Sequence, residues 1–261
     1  MESAPGFDPT DHGLLPLRLE TWCGLMFIAL REGVPPLAEW LGDLPDRLAP
    51  YRIDEMVCTD RRYDEVATNW KLYIEVDMET YHTPIVHPRS IGDQPVDWLR
   101  GIGMWEAVRH DKDGTVSLAP GDDFEGFEPI RDADGSVPDA TVFTTILPSL
   151  FLVTAIDSMW WIHKVPIAPD RTGIEVARAF LRHTVARADF ETFAPRYYAR
   201  WDKVIDEDNA ITEIQFEGIR SPLSRPGPYA PGEGVLHAID NWILDRILDA
   251  PTPDEAAAGP A

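Results

Sequence analysis

Residues 79–88 read Glu-Thr-Tyr-His-Thr-Pro-Ile-Val-His-Pro, which places His82 and His87 five apart and Glu79 three residues before the first of them. Neutral imidazole is the commonest side-chain metal ligand. On a continuous helix, residues five apart diverge by about 140° around the axis, so two imidazoles at that spacing would not reach one ion. Pro84 removes the obstacle, because it cannot continue a helix interior and pushes Thr83 out of the helical region. The chain is expected to turn after His82 and to bring His87 back towards the same point. Glu79 and His82, at i and i+3, are expected to share a helix face. The segment reads as half of a metal site.

The other half is expected from a carboxylate elsewhere, and Trp201–Gln215 offers one. Its apolar stripe, Trp201, Val204, Ile205 and Ile211, has helical spacing, and Asp208 falls on that stripe where the pattern asks for an apolar residue. A carboxylate facing a core costs several kcal/mol of desolvation unless it is paired or binds a metal. Lys203 and Arg220 are the candidate ion partners if Asp208 is merely paired. Asp206 and Glu207 point elsewhere and read as solvated. Two His and one Asp with open coordination positions form the donor set of non-haem Fe(II) oxygenases. Zinc competes, since the same set suits a hydrolytic site.

With Asn69-Trp70-Lys71 and Glu75 ahead of Glu79-x-Tyr81-His82-x-Pro84-x-x-His87-Pro88, the sequence resembles the catalytic domain of the alpha subunit of Rieske-type aromatic ring-hydroxylating oxygenases. Glu207-Asp208-x-x-x-x-Glu213-x-Gln215 resembles that family's third-ligand helix, and Leu15–Phe27 the strand pair that follows its Rieske domain. The resemblance implies an α+β helix-grip (START/Bet v1-like) fold, an antiparallel sheet wrapped around a long C-terminal helix. It implies mononuclear Fe(II) on His82, His87 and Asp208, with Glu79 as the bridging acid that relays electrons from a neighbouring subunit. It further implies O2-dependent hydroxylation of an aromatic or related small organic substrate, electrons from NAD(P)H through a reductase or ferredoxin and a Rieske domain, and a homotrimer. Glu79 departs from the usual Asp and is compatible with oxidation of quaternary ammonium compounds. A helix-grip module that binds a ligand without turnover is a further alternative.

A Rieske [2Fe–2S] centre needs two Cys and two His. The two cysteines here, Cys23 and Cys58, lack histidines at the required spacing. The [2Fe–2S] cluster is therefore expected only in a missing domain or a partner, and the oxygenase is expected to be inactive alone. Residues 1–16 are expected to be the end of a Rieske domain and its linker, 17–249 the iron-binding catalytic domain and 250–261 a disordered tail.

The chain has 261 residues, 44% of them hydrophobic, enough for one large core. A net charge of −22 opposes nucleic acid and anionic membranes as partners. Two distant cysteines and no signal-peptide pattern point to the cytoplasm, and no apolar run is long enough to span a bilayer.

Arg18–Leu30 reads as one or two strands and Leu37–Leu48 as a short helix. Arg52–Ala67 reads as a strand, after which Asn69 caps a helix leading into the ligand loop. Ile91–Asp139 shows little periodicity, and its acidic stretch Gly121–Asp139 is expected to be an exposed loop. Thr141–Leu147, Phe151–Ala155, Trp160–Val165 and Ile174–His183 read as strands. Asp189–Glu217 is a long helical region, with a break allowed, Ser221–Pro231 a loop and Glu233–Leu248 a terminal helix. His110, His163, His183 and His237 read as surface or structural. Trp160 and Trp161 cannot face the same side of a strand. Glu75 is either an acceptor behind a ligand histidine or a surface acid.

Overall fold

The computed structural model describes residues 8–248 apart from 112–113 and 132–134. A hairpin comes first, β1 (Arg18–Trp22) pairing with β2 (Leu25–Ala29) from Arg18↔Ala29 to Trp22↔Leu25. The helix expected over Leu37–Leu48 is two helices, α1 (Leu37–Leu41) and α2 (Leu44–Leu48). Gly42 separates them at φ 55°, and a Cβ there would lie 1.8 Å from the Ile102 carbonyl oxygen. Glycine alone combines that dihedral with so close a backbone approach.

The main sheet is built from β3 (Met56–Val66), β4 (Asp97–Leu99), β5 (Trp105–His110), β6 (Thr141–Ile146), β7 (Leu150–Thr154), β8 (Met159–Ala168) and β9 (Arg171–Leu181). Its order is β3-β9-β8-β7-β6-β5-β4, with every neighbouring pair antiparallel. Against it lie α3 (Trp70–Met78), α4 (Thr83–Val86), α5 (Arg182–Val185), α6 (Phe190–Ile219) and α7 (Gly234–Leu248). This is the helix-grip arrangement, with seven strands holding the 30-residue α6.

Alternation along each strand sorts the core into two layers. Phe151, Val153, Trp160, Ile162, Ile174 and Val176 pack with residues of α3, α6 and α7. Leu152, Met159, Ala177 and Ala179 point the other way, and most of that face packs with α1 and α2. Trp160 and Trp161 accordingly part company. Trp160 is buried and stacks on Trp201 of α6 with ring centroids 3.8 Å apart, whereas half-buried Trp161 lies under Arg61 on the opposite face.

Three expectations are corrected. The strand drawn from Arg52 begins at Met56, because Arg52 adopts φ 50° and Ile53–Glu55 make a 3₁₀ turn. Ile91–Asp139 contains β4 and β5; β5 is covered on both faces, which mixes its residue types and hides the alternation. Gly121–Asp139 is not a bare exposed loop, because Phe127 and Ile130 are buried in it and Phe124 stacks on Phe193 at 4.1 Å. The long helix runs unbroken past Pro195. The expected tail lies outside the described residues, as do residues 1–7 of the expected linker. Among the described residues, no helix is long and apolar enough to cross a membrane.

Candidate metal centre

Asn69 starts α3 as expected, its Oδ1 accepting the Lys71 N–H at 3.1 Å while its Nδ2 donates to the Pro169 carbonyl at 2.7 Å. The helix ends at Met78, before Glu79 and well short of the turn expected after His82, and Glu79 is extended at φ −104°, ψ 151°. Glu79 and His82 therefore meet through a turn and not along a helix face. The carboxylate accepts the His82 backbone N–H at 3.0 Å, as a capping acid does. Pro84 also behaves differently from expectation. It sits in the first turn of α4, just after Thr83, instead of ending a helix, and its missing N–H costs no hydrogen bond there. One turn of α4 then carries the chain from His82 to His87, the His87 N–H donating to the Thr83 carbonyl at 2.9 Å.

The structure brings His82, His87 and Asp208 together, with one ligand-type atom from each lying within 4.8 Å of the others. The Asp208 Oδ1 is 2.8 Å from Nε2 of His87 and 3.5 Å from Nε2 of His82. His87 is fully buried and Asp208 is 8% exposed. The partners considered for Asp208 are engaged elsewhere, Lys203 with Glu207 at 3.0 Å and Arg220 with Glu217 at 3.2 Å.

Behind each imidazole stands a carboxylate. Glu79 contacts Nδ1 of His82, and Glu207 lies 2.8 Å from Nδ1 of His87 while also accepting from the Ser90 hydroxyl. Each Nδ1–H thus has an acceptor, which leaves both Nε2 atoms turned towards Asp208, where a metal ion would take the place of a proton. Glu207 is not solvated as the helical pattern suggested, because the 87–94 loop folds over it. Burial tends to raise its pKa, but the bonds from Ser90, His87 and Lys203 outweigh that and lower it. Burial disfavours charged His82, yet the Asp208 and Glu79 carboxylates push it up to about 9. Without a metal the cluster therefore holds a proton where a cation would sit. Asp206 faces solvent, pairing with Arg62, and Glu75 backs neither histidine.

A cavity that opens to solvent on one side adjoins the three donors. Phe143, Phe151, Trp160 and Trp201 contribute aromatic walls, and Asp77 and Glu79 add carboxylates. Asp77 is paired with the fully buried Lys164 of β8. Burial raises the Asp77 carboxyl to about 6 in spite of that ammonium. Lys164 alternates with Trp160 and Ile162, so its inward direction was legible in the strand period.

Arg200 is the other group the sequence reading passed over. It is 5% exposed, its Nε and Nη1 have no hydrogen-bond partner, and its guanidinium stacks over Trp201 at 3.6 Å. Asp208 and Glu207 pull its pKa up, but burial dominates and brings it down to about 9. It shares the stripe that singled out Asp208, so the same signal marks it. Of the remaining histidines, His110 is buried and donates through Nδ1 to the Pro95 carbonyl at 2.7 Å, while His163, His183 and His237 lie at or near the surface.

A family model described as the ring hydroxylating alpha subunit (catalytic domain) matches residues 51–249. The chain belongs to this family. Over 95% of its length it is 26% identical to the glycine betaine monooxygenase oxygenase subunit of Chromohalobacter salexigens, of which it covers 63%. It is 23% identical to the chloroplastic choline monooxygenase of Beta vulgaris, covering 92% of this chain and 52% of that one. A solved quaternary ammonium Rieske monooxygenase shares the fold at a TM-score of 0.72 and 16% identity, covering 94% of this chain and 66% of the other. The chain thus spans under two thirds of the length of the curated relatives it matches most fully.

Proposed function

We propose that this chain is the catalytic domain of a mononuclear-iron oxygenase, with Fe(II) held by His82, His87 and Asp208 and a quaternary ammonium compound as substrate. The observation that carries the metal assignment is the pair of carboxylates, Glu79 and Glu207, that accept both Nδ1–H groups and free both Nε2 atoms to face Asp208. Such outer acceptors fix tautomer and ring orientation in metal centres. Bound there, ferrous iron would supply the O2 activation that amino-acid side chains cannot perform.

The protein's own residues do the rest. Asp208 would supply the negative charge to the ion, and His82 and His87 would bind it as neutral imidazoles. The aromatic walls exclude water and attract a quaternary ammonium group through their ring faces. Glu79 and Asp208 add negative potential, while Lys164 is neutralised by Asp77. The glycine betaine and choline monooxygenases are matched along nearly the whole chain, whereas the anthranilate dioxygenase match covers 31% of it. Electrons would come from NAD(P)H by way of a reductase and a Rieske centre on another segment or chain. On the family resemblance, Glu79 would bridge the path of that transfer across the subunit boundary of a trimer.

A single-turnover reaction tests this reading, with iron-loaded protein, chemical reductant and O2. Choline or glycine betaine is expected to yield a hydroxylated or demethylated product, up to one per iron. Conversion of anthranilate with no conversion of either quaternary ammonium compound would overturn the substrate assignment.

A further inference from the structure

Next to the metal cavity lies a second one, lined by Ser90, Asp93, Gln94, His110 and Arg200 among others, and Ile91 and Gln94 line both. Arg200 is the only Lys or Arg on its wall among the described residues. Nε and Nη1 of that guanidinium are buried with no partner among the described residues. The carboxylates that bear on it, Asp208 and Glu207, are already committed to His82, His87, Ser90 and Lys203. Buried N–H groups in native proteins find partners with very few exceptions, and a guanidinium's planar fork matches a carboxylate in two parallel hydrogen bonds. The other groups on the wall do not replace such a ligand. His110 spends its Nδ1–H on Pro95, and Asp93 is exposed at the rim. The Gln94 amide makes no hydrogen bond to the described residues and stands between the two cavities.

We propose that Arg200 anchors the carboxylate of the substrate. Taken with the quaternary-ammonium reading, on which this rests, the substrate class is a betaine, with its methylammonium end in the aromatic cavity and its carboxylate at Arg200. Arg200 and Asp208 are eight residues apart on α6, about 12 Å of axial rise. That separation favours a betaine whose two charges are several bonds apart. Stacking on Trp201 fixes the guanidinium from behind, so the arginine is preorganised for its ligand.

Tryptophan fluorescence of the full chain, iron-loaded and kept anaerobic, reads the binding. The probes are γ-butyrobetaine, its methyl ester and butyrate. Wild type is expected to bind γ-butyrobetaine at least about tenfold more tightly than the ester, as a charge-assisted bond requires. Arg200→Gln is expected to remove that preference by weakening the acid alone, and Arg200→Lys to retain part of it. A purely structural role would move acid and ester alike. Equal binding of acid and ester by wild type, or equal weakening of both in Arg200→Gln, overturns the anchor, and the wild-type comparison needs no variant to fold. The two readings fail separately. An ester that binds with no preference for the acid sinks the anchor and keeps the ammonium site. Butyrate binding that depends on Arg200, with no binding of the ester, keeps the anchor and sinks the ammonium site.

Discussion

Glu207 and Glu79 act on the two imidazoles from behind, and at the scale of one residue Glu207 and His82 each carry a prediction. Glu207→Ala removes the acceptor at His87 Nδ1 and frees Ser90. Loss of such an outer partner typically costs 10–100-fold in metal affinity, and an anaerobic Fe(II) titration should show a loss on the order of tenfold or more. The proton on His82 gives the second prediction. Its folded-state pKa, about 9, lies above the ordinary 6.5, so in the metal-free protein this group favours folding below pH 6.5 and loses that contribution as pH rises through 9. A metal must displace the same proton. Iron affinity should therefore strengthen by about tenfold per pH unit as pH rises towards 9 and level off above it. A flat profile between pH 7 and 9 would show that His82 carries no such proton. Asp208 was legible because a carboxylate interrupts an apolar stripe. Arg200 interrupts the same stripe two turns earlier, but a long basic side chain is expected to snorkel to solvent, and here the 90–94 and 116–120 segments close over it. Glu207 was illegible, since its partner is set by where a loop distant in sequence packs.

Among the elements, the break between α3 and α4 decides whether two histidines five apart can converge. Pro84 signalled an irregularity there, but the extended Glu79 and the bond its carboxylate accepts from the His82 N–H, which set the turn before α4, are announced by no residue pattern. The long strands and α6 were legible from β-branched runs and the 3.6 period. The short β4 and doubly covered β5 were not, because their pattern is that of the sheet interior and edge. Gly42 joins α1 to the Ile102 backbone, and Gly42→Ala should lower stability by about 2 kcal/mol or more, read from the urea midpoint, because backbone atoms must move to admit a Cβ. On α3, burial and the neighbouring Asp240 and Glu79 raise the Glu75 carboxyl to about 7. Wild type thus loses stability as pH rises from 4.5 through 7, and Glu75→Gln does not. The variant should be the more stable at pH 8, by on the order of 2 kcal/mol, with the gain vanishing near pH 4.5. A gain that persists at pH 4.5 would mean that packing and not charge is responsible.

Taken whole, the molecule places its chemistry between a seven-stranded sheet and α6, so that two segments far apart in sequence complete one donor set. The cysteine count gives a matching expectation: the iron-loaded chain should lack the visible spectrum of a [2Fe–2S] cluster, because Cys23 and Cys58 do not supply its ligands. The most direct test is anaerobic Fe(II) loading followed by metal analysis, on wild type and on His82→Ala, His87→Ala and Asp208→Ala, with circular dichroism as the check on folding. Near one iron per wild-type chain, falling severalfold in each folded variant, is the predicted result. Iron content unchanged in all three folded variants would contradict the metal centre.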